Sequence, residues 1–164
     1  MTSTKSVSQI ALALGVAAFF TACGGGECKS NEDMKSGCVE KRYDNGKLYY
    51  EVPWKNNEKN GVEKYYSEDG RIYKETPYKN SKKDGVAKRY YANGRLEYED
   101  PYKDGKQDGI YKEYADNGRV LKEISFKNDK RDGIYKWYDW LRELQNECEY
   151  KDGKLVKTIQ GKCW

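Results

Sequence analysis

The pentapeptide DGIYK occurs at Asp108–Lys112 and again at Asp132–Lys136, so its two copies start 24 residues apart. The same spacing recurs in five glycines, from which we number the positions of each unit forward. The units begin at Gly37, Gly61, Gly85, Gly109 and Gly133. Position 12 is always Leu, Ile or Val, position 15 always Glu, position 18 always aromatic and position 19 always Lys. Five units without an insertion predict a repeat protein.

Each unit has the pattern of a β-hairpin. Strand-like segments cover about positions 2–7 and 11–18, and units 1 to 4 carry Asn-Gly or Asp-Gly between them. A three-residue loop at positions 8–10 would pair position 6 with 12 and position 2 with 16, which brings the apolar even positions onto one face. We therefore expect an all-β fold: an antiparallel meander of five 24-residue β-hairpin repeats forming an elongated, twisted sheet. Glycine at position 10 would adopt the left-handed conformation.

This register predicts the content of both faces. Val or Ile at position 2, Tyr at 6, the aliphatic residue at 12 and the ring at 18 would form one tyrosine-rich face, while the glutamates at position 15 would lie opposite. Late in the chain, an apolar patch interrupts the polar face at Tyr111, Leu121, Tyr135 and Trp137. Because exposed aromatic clusters often mark interaction sites, this patch is a candidate binding site. The alternative is that the end segment packs against this face, or that the face simply carries tyrosines without a partner.

The first 23 residues have the pattern of an export signal. Lys5 precedes an apolar run of 11 residues, 10–20, which is too short to span a membrane and has the length of a signal-peptide core. The segment FTAC at 20–23 resembles the lipobox of bacterial lipoproteins, which implies a lipidated Cys23. The alternative is an ordinary cleaved secretory signal. We expect a lipoprotein signal peptide at 1–22, a lipidated cysteine with a flexible tether at 23–36, and anchoring in the bacterial cell membrane, the outer membrane if the host has one.

Four further cysteines form an even set, which is compatible with two disulfides in an exported chain. They are Cys28, Cys38, Cys148 and Cys163. Three pairings are open, and sequence proximity favours Cys28–Cys38 and Cys148–Cys163. No pair has the CxxC spacing of a redox or zinc site.

The composition argues against several classes of site. The chain has no histidine, which removes the commonest general base and the commonest metal ligand. Its formal net charge is +4, with lysine and glutamate interleaved along the sequence and no basic cluster of the kind that binds nucleic acid. We expect no enzymatic activity, no cofactor, no metal and no nucleic-acid partner.

Units such as YYANGRLEYEDPYKDGKQDGIYKEY at 90–114 resemble the MORN repeat variant, found in exported bacterial proteins and in the YwqK antitoxin-like family. The resemblance covers about residues 37–156 and implies hairpin repeats with a scaffold or binding role and no catalytic centre. Two features depart from the pattern. Proline occupies position 17 in units 1 to 3, and Arg142 replaces the turn glycine of unit 5. We expect a rebuilt or briefly helical turn there, and a C-terminal cap at 157–164.

Together these observations predict a membrane-anchored, non-catalytic repeat lipoprotein that acts as a protein-binding scaffold at the cell envelope. Two alternatives remain. One is a surface glycan binder, because stacked aromatic side chains suit sugar rings. The other is an antitoxin or immunity-like protein that neutralises an effector, which only the family resemblance implies.

Overall fold

The structure is a computed structural model that describes residues 37–163. In this range the chain forms fourteen β-strands and no helix. The strands are β1 (Cys38–Arg42), β2 (Leu48–Lys55), β3 (Glu58–Lys59), β4 (Gly61–Tyr66), β5 (Ile72–Lys79), β6 (Lys82–Lys83), β7 (Gly85–Tyr90), β8 (Leu96–Lys103), β9 (Lys106–Gln107), β10 (Gly109–Tyr114), β11 (Val120–Lys127), β12 (Lys130–Tyr138), β13 (Leu144–Lys151) and β14 (Lys154–Gln160). The predicted signal peptide at 1–22, the tether at 23–36 and Trp164 lie outside the described residues.

The strands form one antiparallel sheet in which neighbours along the chain are neighbours in space. Eleven strands follow one another in the order β1, β2, β4, β5, β7, β8, β10, β11, β12, β13, β14. The two-residue strands β3, β6 and β9 each pair with the long strand before them. Each unit supplies one hairpin, from β1 and β2 in unit 1 to β12 and β13 in unit 5. The predicted all-β meander of hairpin repeats is confirmed.

The tip of each hairpin is a type I turn followed by one residue in the left-handed region. In unit 3 the amide of Gly94 donates to the carbonyl of Tyr91 over 2.8 Å, and the amide of Tyr91 donates to the carbonyl of Arg95 over 2.8 Å. Gly94 has a φ of 81°, which lies in the left-handed region. The other four units have the same hydrogen bonds, so the predicted three-residue loop is confirmed.

Unit 5 keeps this turn even though Arg142 stands in place of the glycine. Arg142 has a φ of 72°, and its amide donates to the carbonyl of Asp139 over 3.2 Å. The carboxylate of Asp139 accepts hydrogen bonds from the amides of Leu141 at 2.8 Å and Glu143 at 3.0 Å, which stabilises the turn from its first residue. The expectation of a rebuilt or helical turn is therefore wrong.

A β-bulge interrupts every hairpin just after the turn. In unit 2, Tyr66 pairs with Ile72 as predicted. The next pair is Tyr65 with Lys74, which leaves Tyr73 at position 13 as the extra residue. The same shift occurs in all five hairpins, so position 2 pairs with position 17 and not with position 16. The prediction that even positions lie on one face and odd positions on the other is wrong beyond the bulge, because the turn length sets the register only as far as the first extra residue.

The bulge sorts the side chains into two faces that differ from the predicted ones. The aromatic face carries positions 3, 5, 13, 14, 16 and 18. Position 3 pairs with position 16, and position 5 pairs with position 14, so the members of each pair share a face. Position 13 joins them, because the ring of Tyr73 at this position lies 6.0 Å from the ring of Tyr65 at position 5. The tyrosine–glutamate face carries positions 2, 4, 6, 12, 15 and 17. The glutamates at position 15 therefore share a face with the tyrosines at position 6, and the rings at position 18 do not.

In the described part of the chain, every buried side chain lies on the aromatic face, at position 3, 16 or 18. These residues are Val52, Glu63, Thr76, Ala87, Ile124, Cys148 and Tyr150. By contrast, Val62, Val86 and Ile110 at position 2 are 38 %, 42 % and 53 % exposed. Their predicted place in an apolar face with the position-18 rings is wrong, again because of the bulge. The core is a narrow row that crosses a single-layered sheet.

Successive units are joined by a tight turn at positions 20 and 21. Asn56 and Asn57 have φ values of 53° and 62°, as a type I′ turn requires of its two central residues. The sequence indicated only a longer polar loop at this point. Position 20 is Asn or Asp in every unit, and these two residues tolerate positive φ better than most residues with a side chain.

The proline at position 17 packs against the glycine that opens the next unit. A Cβ atom added to Gly85 would lie 2.8 Å from Cγ of Pro77, and the amide of Asp84 donates to the carbonyl of Pro77 over 3.0 Å. Proline has no amide hydrogen, and the strand after each such proline is divided in two. Unit 4 has Ser125 at this position, and β12 after it is continuous.

Candidate functional site

The four residues of the predicted patch lie together on the aromatic face. Tyr111 in β10 and Tyr135 in β12 both pair with Ile124 of the strand between them. Trp137 pairs with a neighbour of Leu121, which is the bulge residue of unit 4. Trp137 is 40 % exposed, and the other three are half-buried. The patch is therefore continuous with the position-18 rings, and it is not an island on a polar face.

A charged pair borders this patch. Glu113 accepts a hydrogen bond from the Lys122 ammonium at 2.8 Å and a long one from the Tyr111 hydroxyl at 3.4 Å. Burial and the neighbouring Glu113 carboxylate raise the pKa of Tyr111 above the usual tyrosine value. The Tyr111 hydroxyl therefore stays protonated at physiological pH and available as a donor.

A second aromatic cluster, which the sequence reasoning missed, lies on the same face in units 1 and 2. Its ring centroids are 5.3 Å apart for Tyr43 and Tyr49, 4.8 Å for Tyr50 and Tyr65, and 6.0 Å for Tyr65 and Tyr73. The predicted alternation of even and odd positions had placed positions 13 and 14 on opposite faces. The adjacent tyrosines at 49 and 50 were the available signal, because a bulge between them points both rings to one side.

A buried carboxylate fixes one ring of this cluster. Glu63 is 5 % exposed and accepts hydrogen bonds from the Tyr50 hydroxyl at 2.9 Å and the Lys59 ammonium at 2.6 Å. Burial, followed by the hydrogen bond to Glu63, raises the pKa of Tyr50 above its usual value. The buried charge of Glu63 is paired with Lys59 and hydrogen-bonded, so packing of the local structure is sufficient to explain this glutamate.

Cations from the connecting turns lie over the rings at position 18. The Lys59 ammonium is 4.8 Å from the ring centroid of Tyr78, and the Lys83 ammonium is 4.3 Å from that of Tyr102. In the last units the Arg131 guanidinium is 5.2 Å from the ring of Tyr150. These cation–π contacts join unit 1 to unit 2, unit 2 to unit 3 and unit 4 to unit 5, and they cover part of the aromatic face.

The other face carries a ladder of tyrosine, glutamate and lysine. The hydroxyls of Tyr66, Tyr90 and Tyr114 each donate to the position-15 glutamate of the unit before, at 2.7, 2.8 and 3.0 Å. Lysines at position 4 lie 3.1 to 4.0 Å from position-15 carboxylates: Lys64 from Glu51 of the unit before, and Lys88, Lys112 and Lys136 from Glu99, Glu123 and Glu147 of their own units. The tyrosine hydrogen bonds therefore link neighbouring repeats, and most of the ion pairs lie within one hairpin. Within residues 37–163, no group of three or more His, Cys, Asp or Glu side chains could hold a metal ion.

A disulfide joins Cys148 of β13 to Cys163, with a Cα–Cα distance of 6.1 Å. It holds the end of β14, whose residues are all exposed, against the sheet. Cys28 lies outside the described residues, as does the proposed lipidation site Cys23. Among residues 37–163, no helix is long and apolar enough to cross a membrane.

Four segments of the chain match the MORN repeat variant, at residues 35–56, 59–80, 83–104 and 107–128. Together they cover more than half of the 164 residues. No curated protein matches the chain. Among solved structures, it is similar to the crystal structure of accessory secretory protein 1, 2 and 3 in Streptococcus pneumoniae, at 16 % identity over 76 % of this chain. It spans 19 % of that chain, and the TM-score of 0.19 is too low to support an argument.

Proposed function

Because the chain belongs to the MORN repeat variant family, we propose that it is a repeat scaffold that binds a protein partner through the aromatic face of its sheet. The observation that carries this proposal is the uncovered state of that face. In the described part of the chain there is one layer of strands, with no second layer over the rings. Half-exposed tyrosine and tryptophan side chains on a rigid sheet are the residues that most often anchor protein–protein interfaces.

The patch of Tyr111, Leu121, Tyr135 and Trp137 offers the best anchors. Its side chains stand on three adjacent strands, with the rings on β10 and β12 and Leu121 between them on β11, so they are held in place before a partner arrives, which reduces the entropy lost on binding. The charged pair beside it supplies the polar border that interfaces usually have.

We also propose that the scaffold is non-catalytic and is anchored to the cell envelope by a lipidated Cys23. The support is in the sequence: an apolar run of signal-peptide length, the lipobox-like FTAC and a glycine-rich tether. Attachment through two or more acyl chains would be stable, and it would leave the repeats free to meet a partner beside the membrane.

The partner is tested by affinity capture from detergent-solubilised membranes. We expect the unmodified chain to retain a specific protein and the double variant Tyr135→Ala, Trp137→Ala to lose it. Trp140→Ala is the matched control, because Trp140 is 71 % exposed but lies on the hairpin tip. Retention of the same protein by both variants would place the interface elsewhere.

Two other results would favour the alternative functions. Retention of the chain on envelope polysaccharide, with no protein captured, would indicate a glycan binder. A captured protein that is toxic alone and inactive in the complex would indicate an antitoxin or immunity-like role.

Anchoring is tested separately with Cys23→Ser. We expect this variant to lose incorporation of labelled fatty acid and to move to a soluble or inner-membrane precursor fraction, whereas Cys163→Ser should keep the acylation and the fractionation of the unmodified chain. Unchanged acylation of the Cys23 variant would rule out the lipoprotein assignment.

A further inference from the structure

A groove of about 420 Å³ opens between the hairpin tips of units 4 and 5 on the tyrosine–glutamate face. Its walls include Arg119 and Val120 of unit 4 and Tyr138 and Arg142 of unit 5, with Glu123 at its inner end. The volume is in the range of sites that hold small molecules. Because the sheet is a repeat, a groove at one junction requires a local departure from the pattern of the others.

At the three earlier junctions, two kinds of contact bridge neighbouring units. The side chain at position 11 donates to the carbonyl of position 8 in the next unit. These bonds are Lys47 to Glu68 at 2.8 Å, Arg71 to Ala92, and Arg95 to Asp116 at 3.1 Å. In addition, the position-6 hydroxyl of each following unit donates to a glutamate of the unit before, as described above.

At the junction of units 4 and 5 neither contact is made. The Arg119 side chain donates to Asn117 within its own turn, over 3.1 Å. In the described part of the chain, the Tyr138 hydroxyl has no hydrogen bond, and Glu123 has only its ion pair with Lys112 at 3.5 Å. The groups that close the other junctions therefore line an open groove here.

Arg142 provides a second, independent observation. Its φ of 72° is a conformation that side-chain-bearing residues seldom adopt, and units 1 to 4 use glycine at the same position. The Arg142 guanidinium makes no hydrogen bond or ion pair with any described residue. The hairpin turn itself requires this φ, so arginine at position 10 accepts a less favourable backbone than glycine would and places an unpartnered charged group at the groove.

We propose that this groove binds a sugar that carries a carboxylate group. The guanidinium groups of Arg119 and Arg142 would hold the carboxylate, because their planar donor pairs match its two oxygens. Glu123 in the same wall disfavours a doubly charged anion such as phosphate, and its oxygens accept hydrogen bonds from sugar hydroxyls. The ring and hydroxyl of Tyr138 suit the apolar and polar sides of a sugar ring.

The composition of the walls favours a sugar over a peptide. Val120 is the main aliphatic side chain in the groove, and Trp140 and Leu141 of the adjacent tip do not line it. A peptide would need an apolar pocket for an anchoring side chain, and this groove lacks one. The proposal stands independently of the protein partner proposed for the aromatic face.

The test is calorimetric titration of the full chain in detergent with D-galacturonic acid and with D-galactose, which has a hydroxymethyl group where the acid has its carboxylate. We expect the acid alone to bind, and more weakly as salt is added. Arg142→Gly and Arg119→Gln should each weaken binding about tenfold or more. Arg71→Gln is the matched control, because Arg71 has the same position in unit 2, away from the groove, and should leave binding unchanged.

Three results would each overturn the proposal. The first is equal binding of galactose, the second is equal affinity in the Arg142 variant, and the third is no binding of the acid or of its short oligomers. Binding of triglycine through its terminal carboxylate in place of the sugar acid would show a peptide site and would also overturn it. Loss of fold does not confuse the result, because Arg142→Gly restores the residue that the other four turns use.

Discussion

Glycine occupies two positions of the repeat for two different physical reasons. Gly94 at position 10 has a φ of 81°, with no atom within 4 Å of the place where a Cβ would be. Gly85 at position 1 has a φ of 118°, and a Cβ there would lie 2.8 Å from Cγ of Pro77. The first position needs glycine only for its backbone conformation, whereas the second also needs it for close packing.

Alanine should therefore have unequal effects at the two positions. We expect Gly94→Ala to lower the free energy of unfolding by about 1–2 kcal/mol, the cost of a left-handed residue with a side chain. Gly85→Ala should lower it by about 1–3 kcal/mol more, because the added methyl group collides with proline. Urea denaturation measures both. Equal losses would mean that the proline moves aside freely.

Arg142 is the converse case, a side chain where the backbone favours glycine. Arg142→Gly should raise the free energy of unfolding by about 1 kcal/mol, because the left-handed conformation no longer opposes a Cβ. The reverse change in the neighbouring turn, Gly118→Arg, should lower it by a similar amount. Thermal or urea denaturation of the two variants tests the prediction, and a loss of stability in Arg142→Gly would contradict it.

At the scale of the element, the bulge at position 13 decides what each hairpin presents. Without the extra residue, position 16 would lie on the side of Tyr66 and Leu96, and the buried row of Val52, Thr76 and Ile124 could not form. With it, one face receives the rings and the small core, and the other receives the hydrogen-bonded ladder. The hairpin is therefore two-faced, and both faces remain in contact with water.

The ladder should make stability sensitive to alkali. Burial and the hydrogen bonds to Glu75 and Glu99 raise the pKa values of Tyr90 and Tyr114 to about 12. Since a raised folded-state pKa favours the protonated form, the contribution is complete below about pH 10 and is lost as the pH rises to about 12. Unfolding free energies measured across this range should decline.

Phenylalanine variants identify the source of this decline. The double variant Tyr90→Phe, Tyr114→Phe should lose less stability than the unmodified chain between about pH 10 and pH 12. The reason is that the two hydroxyls whose pKa values are raised by folding have been removed and no longer ionise. Tyr138→Phe is the control, since its hydroxyl has no glutamate partner in the described part of the chain. An unchanged slope in the double variant would contradict the assignment of the decline to Tyr90 and Tyr114.

The last strand, β14, lies at an edge of the sheet and has features that protect this edge from pairing with another chain. β14 pairs with β13 through a register that shifts twice, and it carries lysines at 154 and 157. Bulges and lysines both hinder the pairing of an exposed edge with another chain. They offset the aggregation risk of Leu155, Val156 and Ile159, which are 42 %, 60 % and 46 % exposed.

At the scale of the whole molecule, the sheet is a one-dimensional array. Strands pack mainly on the strands beside them, and the core is a row of small contributions, each supplied by one unit. The stability of such a protein is approximately the sum of the units and of their junctions. The four earlier units should therefore be interchangeable as structural blocks.

Removal of one complete unit tests this property. Deletion of residues 85–108 joins Asp84 to Gly109 and preserves every position of the period. We expect a folded, cooperative protein with a smaller denaturant slope and a lower free energy of unfolding. Deletion of residues 85–96, which is half a unit, is the control and should prevent folding because it breaks the register. A full-unit deletion that fails to fold would indicate long-range packing.

The sequence by itself determined the repeat, its hairpins and the turn at each tip. These features depend on bonds between residues a few positions apart, such as that from Gly94 to Tyr91, and on the φ preferences of glycine. It also brought Tyr111, Leu121, Tyr135 and Trp137 onto one face, because positions 3 and 5 lie on the strand without the extra residue, and Leu121, the extra residue itself, lies on the same face.

The tertiary structure alone decided the identity of the faces, the tyrosine cluster of units 1 and 2, and the groove beside Arg142. The pattern of apolar residues fitted an unbulged hairpin as well as a bulged one. The choice between them depends on packing across strands, where position 16 is buried against position 3. The groove likewise arises from contacts that two neighbouring units fail to make, and those contacts join residues 15 or 21 positions apart at the other junctions. Local propensities carry no information about pairings at that distance, because only the folded sheet brings the two partners together.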